Sequence, residues 1–509
     1  MRRGRKARLE QPPEQSAIGP GFSGGQYKPL ADADIQNVHR TVLDVLENIG
    51  MADPIPVVQE HALKRGCTLD DDGRLLFPRA LVEDMIADTA HDLMFHGQDE
   101  KFDLDLRAER VHTYGGGEAV TMLDPGASTY RPSTLMDVYD AARLVDKLDN
   151  IHAFSRLVVA TDMDGRLACD MNTAYASIAG TAKHTALTFG DYRNVDPVLE
   201  MLYMVAGGKD KFHERPFAHG GGCPVISPLR YGADNCEVCV ESVKFGAPVW
   251  IVVAPQAGAT APAALAGTLV QVMAEAIASM LMVNVVAPGH PVIVGPWPFV
   301  SDLRTGSFTG GSGEEAVVSA AAAQMTNFYG LVSSVGAGMS DSKTPDYQAG
   351  YEKAIATALA ALSGCNNVSE SAGMMGSLMG LSFESLVIDN DMLGAVMRTV
   401  RGIEVNDDTL SYAEIQNAVY GEGHFLRHEQ TLKLMRSEYE YPALADRLPP
   451  NVWEEAGSLD IREQAAIRVK EILSSHYPQY IEPAVDAKIR DTFKIDIPPE
   501  YMEVGNERW

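Results

Sequence analysis

The residues able to do chemistry recur at intervals, each just past a short apolar run. They are Asp162 and Asp164, Asp191, His219, Trp297, the block Ser340-Asp341-Ser342-Lys343, and Ser369-Glu370-Ser371. Aromatic side chains gather at the same places: Phe154, Phe189, Trp297, Phe299, Phe308 and Tyr347, with Tyr114 ahead of them. Carboxylates supply a negative field, and aromatic faces attract quaternary ammonium ions by about 0.5–2 kcal/mol each. The set suits an organic cation. Trp297 stands out because it lies between Pro296 and Pro298, an awkward place for simple packing.

Other constellations carry less. Cys236 and Cys239 make a C-x-x-C pair near Cys223, but within a helical pattern and with no second pair at zinc spacing. His424 and His428 are four apart and lack a third ligand. No bound metal is expected. Gly115–Gly117, Gly220–Gly222 and Gly310-Gly311 lack the lysine of a phosphate loop and read as tight turns.

The apolar runs that position these groups are Phe154–Ala160, Thr185–Phe189, Phe217–Gly221, Val249–Ala254, Val292–Gly295, Leu331–Val335, Asn367–Ser371 and a weaker one at Leu386–Ile388. Helical patterns alternate with them, at Val195–Val205, Asp234–Phe245, Leu265–Val286, Glu314–Tyr329 and Tyr347–Leu362. Uninterrupted apolar strands alternating with helices predict a parallel sheet covered on both faces. Eight such units over about 250 residues predict an α/β fold of the (β/α)8 TIM-barrel type, with reactive groups at the strand ends. No G-x-G-x-x-G opens a first helix, which argues against a dinucleotide fold. The expected division is an arm over 1–30, helices and a hairpin over 31–150, the barrel over 151–408 and a helical extension over 409–509. The hairpin is assigned to Arg110–Tyr114 and Ala119–Leu123 around Gly115–Gly117. Thr134 to Asp137 reads as a helix-starting capping box.

Composition excludes several classes. With 42 Lys+Arg against 69 Asp+Glu the net charge is −27, a surface that repels nucleic-acid backbones. Six scattered cysteines fit a reducing cytoplasm. The start is basic and polar, unlike a secretory signal. The long apolar stretch Leu265–Val286 contains Gln271, Glu275 and Asn284, which favours a buried helix over a membrane span.

Ordered blocks along the chain carry a family resemblance. They are Arg131–Val138, Glu214–Phe217, Ser227–Leu229, Gly258–Pro262, Arg401–Ile403 and Gly423–Leu426, with Asp341-Ser-Lys-Thr-Pro-Asp-Tyr-Gln-Ala-Gly-Tyr-Glu-Lys353 the most specific. Over about residues 30–480 the chain resembles the trimethylamine methyltransferase family, in the branch without pyrrolysine that includes glycine betaine methyltransferase. The resemblance implies a barrel whose mouth meets a partner corrinoid (cobalamin) protein, with Co(I) taking a methyl group from an amine. A quaternary ammonium departs as a neutral amine and needs mainly alignment and a dry pocket. A tertiary amine must first be activated, and this chain has only standard residues, so a betaine-like substrate is expected. Gln430 stands where the family often has histidine, so no role is carried over there.

The roles that follow are a trimethylammonium pocket of Tyr114, Trp297 and Phe299, with Glu118, Asp162 or Glu370 as the catalytic-site carboxylate supplying the field. Candidates for holding a substrate carboxylate are the amides and hydroxyls of the loop Gly338–Ser342, with Tyr347, Gln348 or Lys343; the other reading of Asp341, Lys343 and Asp346 is a structural loop network. Self-association through the charged helical tail is expected. Competing readings are methyl transfer directly to a folate and a non-catalytic betaine-binding protein.

Overall fold

The computed structural model describes residues 21–509. Eight parallel strands alternate along the chain with helices. They are β1 (Arg110–Thr113), β2 (Phe154–Ser155), β3 (Thr185–Thr188), β4 (Ala218–Gly222), β5 (Val249–Val253), β6 (Val292–Pro296), β7 (Ser334–Gly336) and β8 (Asn367–Ser369). The helix following each is α1 (Leu135–Asp146), α2 (Arg166–Gly180), α3 (Val195–Ala206), α4 (Ala233–Glu241), α5 (Leu265–Val286), α6 (Gly313–Phe328), α7 (Tyr347–Leu362) and α8 (Phe383–Arg401).

Strands β2 to β6 form one parallel sheet in chain order, with Thr185 beside both Phe154 and Ala218, and Val249 beside Val292. Strands β7, β8 and β1 form a second parallel run, with Asn367 between Ser334 and His112. Parallel bridges from Tyr114 to Ala153 and from Val294 to Ser333 join the two at both edges. The expected α/β architecture with helices on parallel strands is therefore present.

Side-chain alternation builds the core. Val249, Ile251 and Val253 of β5 pack outward with α5, while Trp250 and Val252 point the other way, among Tyr114, Ala186, Ile293 and Trp297. Phe95, Leu104 and Leu106 close that inner cluster. Helix α5 is the apolar stretch that looked long enough to span a membrane, and it is mostly buried inside the protein. Its Glu275 accepts from the Ser227 hydroxyl at 2.7 Å and the Leu229 amide at 2.9 Å. Satisfied in this way, a polar group can sit in a core helix.

Three sequence expectations are corrected. Arg110–Tyr114 and Ala119–Leu123 are not a hairpin. The first runs parallel to β8, and Thr121–Leu123 pairs instead with Gly380–Ser382 and Tyr130–Pro132. Gly116 and Gly117, at φ of 141° and 121°, lead the chain away rather than back. The parallel strands thus begin ahead of residue 151. Leu386–Ile388 is not a strand but the interior of α8, whose Ser382 N-cap hydroxyl accepts from the Ser385 amide. The arm assigned to the first 30 residues falls largely outside the described residues. Where it is described, Phe22–Ser23 pairs antiparallel with β1, and Leu30 donates its amide to Gln324.

Candidate active site

The ends of these strands surround a cavity of about 570 Å³. Trp250, Trp297, Phe299 and Phe189 supply aromatic faces, and Glu118, Glu370, Arg156 and Asp170 supply charge. The aromatic groups run as a chain, Trp250 to Trp297 at 5.8 Å between ring centroids and Trp297 to Phe299 at 6.3 Å. Trp297 is fixed by donating its indole N–H to the Ser334 carbonyl at 3.2 Å.

The two glutamates reach the cavity through unusual backbone. Glu118 has φ 48° and Glu370 φ 56°, left-handed values that L-residues adopt at a cost. Their surroundings then separate them. Glu118 takes a hydrogen bond from Arg156 Nη2 at 2.8 Å and one from the Thr188 hydroxyl at 2.5 Å. Burial opposes its ionisation, but Arg156 and Thr188 outweigh that and hold its carboxyl below the usual range. Glu370 has no such help. It is buried, its Oε2 has no hydrogen-bond partner among the described residues, and burial together with the Glu118 charge raises its carboxyl to about 8. A buried carboxylate facing aromatic rings without a cationic partner is the counterpart of an ammonium ion.

Two thiols also line the cavity, Cys169 and Cys223. The Cys223 side chain is exposed to solvent, and burial raises the thiol of the half-buried Cys169. Cys236 and Cys239 are buried on α4, Cys236 donating to the Pro224 carbonyl, and burial raises both thiols.

A model of the trimethylamine methyltransferase (MTTB) family matches residues 1–496. The chain belongs to this family. It is 31% identical over 476 residues to the trimethylamine methyltransferase of Methanosarcina thermophila, covering 91% of this chain and 96% of that one. It is 28% identical over 465 residues to the glycine betaine methyltransferase of Desulfitobacterium hafniense, with coverage of 91% and 96%. It is also similar to the solved monomethylamine methyltransferase of Methanosarcina barkeri, at 13% identity, 90% and 96% coverage and a TM-score of 0.49. The protein is a methyltransferase.

Within this methyltransferase the sequence-derived residues divide. Glu118, Glu370, Trp297 and Phe299 converge on the cavity. Tyr114 lies in the inner cluster, 6.4 Å from Trp250 between ring centroids, buried and with no hydrogen-bond partner for its hydroxyl among the described residues. Asp162 is elsewhere, its Oδ1 accepting from the Leu135 amide at 2.8 Å beside the capping box that starts α1. Asp341 and Lys343 line a second cavity of about 680 Å³, together with Leu303 and Phe308. Phe299 and Phe308, 4.5 Å apart between centroids, face one cavity each. Asp341 is fully engaged by the Gly310 amide and the Thr309 and Ser377 hydroxyls, and Lys343 Nζ donates to the Asp341 carbonyl. Gln348 donates to Glu352, and Tyr347 is 91% exposed. The most family-specific block thus ties loops together and does not join the aromatic cavity. Sequence reasoning missed Trp250, hidden as one apolar residue within a strand, and Arg156, a lone cation with no motif around it.

Proposed function

We propose that this methyltransferase takes a methyl group from a quaternary, betaine-like amine and delivers it to the corrinoid of a partner protein. The edge bridges between the two sheets support reading them as one closed (β/α)8 ring, with the cavity at its C-terminal mouth. The observation that carries the function is Glu370, a buried carboxyl without a cationic partner among the described residues, in an aromatic enclosure.

The corrinoid, when docked, supplies the nucleophile that accepts the methyl group. The chain's own residues bind, orient and shield. Trp250, Trp297 and Phe299 hold the methylated nitrogen by cation–π attraction. Glu370 balances its charge in the ionised form that the cation selects, and the apolar lining excludes water, so the bound methyl is presented toward the mouth. A positively charged nitrogen leaves as a neutral amine, and no proton need be supplied. The relationship to a named glycine betaine methyltransferase favours the same substrate class.

Two measurements test this. Mixing the protein with a quaternary amine and a Co(I) corrinoid protein should bleach the Co(I) absorbance as methyl–cobalt forms. No change across a panel of betaines, choline and carnitine would remove the proposal. Trp297→Ala should weaken tetramethylammonium binding by roughly 3- to 30-fold, the range set by losing one desolvated cation–π contact. Titration calorimetry reads the change, and an unaltered Kd would take Trp297 out of the site.

A further inference from the structure

We propose that Arg156 holds a substrate carboxylate, so that the cavity selects an ammonium ion carrying an acid a few atoms away over a simple quaternary cation. The inference rests on the quaternary-amine reading above and assigns the specificity of that site to a residue outside the expected acid-binding loop.

Arg156 follows β2, whose Ser155 also faces the cavity. Its guanidinium is largely enclosed, with 11% of the side chain exposed. One nitrogen, Nη2, is spent on Glu118 at 2.8 Å. Another, Nε, is buried and has no hydrogen-bond partner among the described residues. A buried guanidinium N–H without an acceptor is costly and rare, and a ligand carboxylate in the cavity meets the still-exposed part of the same guanidinium with a charge-assisted bond. Its position against the cation site also fits. Glu118 bridges the two, bound to Arg156 on one side and felt electrostatically by Glu370 on the other. Positive and negative groups therefore follow one another across a single cavity, matching the short separation of charges within a betaine.

The loop Gly338–Ser342 with Lys343 offers less to an acid. Lys343 lines the other cavity and already donates to the Asp341 carbonyl. Asp341 itself would repel an anion. Arg166, the other arginine of the lining, lies at the exposed rim 3.8 Å from Asp234.

The experiment measures Kd by calorimetry for glycine betaine and for tetramethylammonium, with wild type and two reciprocal variants. Arg156→Met should weaken glycine betaine roughly 10- to 100-fold, the worth of a hydrogen bond between charged groups. It should tighten tetramethylammonium, because Glu118 is then freed from its partner. Glu118→Gln retains the guanidinium and removes its competitor, so it should shift preference the opposite way, toward glycine betaine. This second variant keeps the test informative if Arg156→Met folds poorly. Opposite movements of the two ligands support the assignment. Equal affinity of wild type for both ligands, or parallel losses for both in each variant, would overturn it while leaving the cation site standing. If wild type binds neither ligand, the cation reading fails and the carboxylate site fails with it.

Discussion

Glu370→Gln should weaken quaternary ammonium binding by roughly 30- to 150-fold at pH 9, as expected for losing about 2–3 kcal/mol of contact to a charge in a buried site. The same substitution should flatten the pH dependence of binding. With its carboxyl raised to about 8, Glu370 is mostly protonated at neutral pH, and the cation must bind the ionised form. Affinity of wild type for tetramethylammonium should therefore rise about tenfold per pH unit below pH 8 and level off above it. Titrations at four pH values would decide, and a wild-type profile that is flat or falls with pH would remove Glu370 as counter-ion. Stability should move the other way. The folded protein keeps a proton that the unfolded chain has released above its ordinary glutamate pKa of about 4.3. As pH rises from about 4 to 8, the unfolded state is favoured progressively, and the loss is complete above the folded value. The Gln variant lacks this slope, so its melting temperature should exceed that of wild type by more at pH 9 than at pH 5.

Lys353→Met should destabilise the fold by about 3–5 kcal/mol, the usual cost of orphaning one member of a buried ion pair. Lys353 on α7 donates to Asp389 at 2.6 Å and to the Ser385 hydroxyl at 2.8 Å, both on α8, and all three are buried. Asp389 also accepts the Gly373 amide at 2.7 Å, which anchors the loop that leaves Glu370. Removing the lysine strands the aspartate charge and loosens that loop. A lowered denaturant midpoint should come with weaker tetramethylammonium binding. Adding Asp389→Asn should recover much of the stability, since a neutral amide oxygen still accepts from Gly373. A single variant as stable as wild type would show that the pair contributes nothing net.

These networks also explain what the sequence made legible. Seven strand positions after residue 150 were readable because parallel strands buried on both faces are short apolar runs between helices. The missing member was β1, because its Gly115–Gly117 exit looked like a hairpin turn. The false member, Leu386–Ile388, has strand-like residues, but the Ser382 cap and long-range packing hold them in a helix. In the site, Trp297, Glu118 and Glu370 could be found by their place after a strand. Asp341 and Lys343 obeyed the same rule, and only the Phe299–Phe308 partition, a tertiary feature, put them in another cavity. Arg156 carried no signal of its own, since what marks it is an unpartnered nitrogen.

The left-handed backbone at Glu118 and Glu370 sets a conflict between durability and use. Each position holds strain of roughly 1–3 kcal/mol that a glycine would relieve. Laboratory selection for heat resistance alone should drift toward glycine at both places, yielding a sturdier molecule with an uncharged chamber. Screening for turnover alongside would be needed to keep the two acids in place.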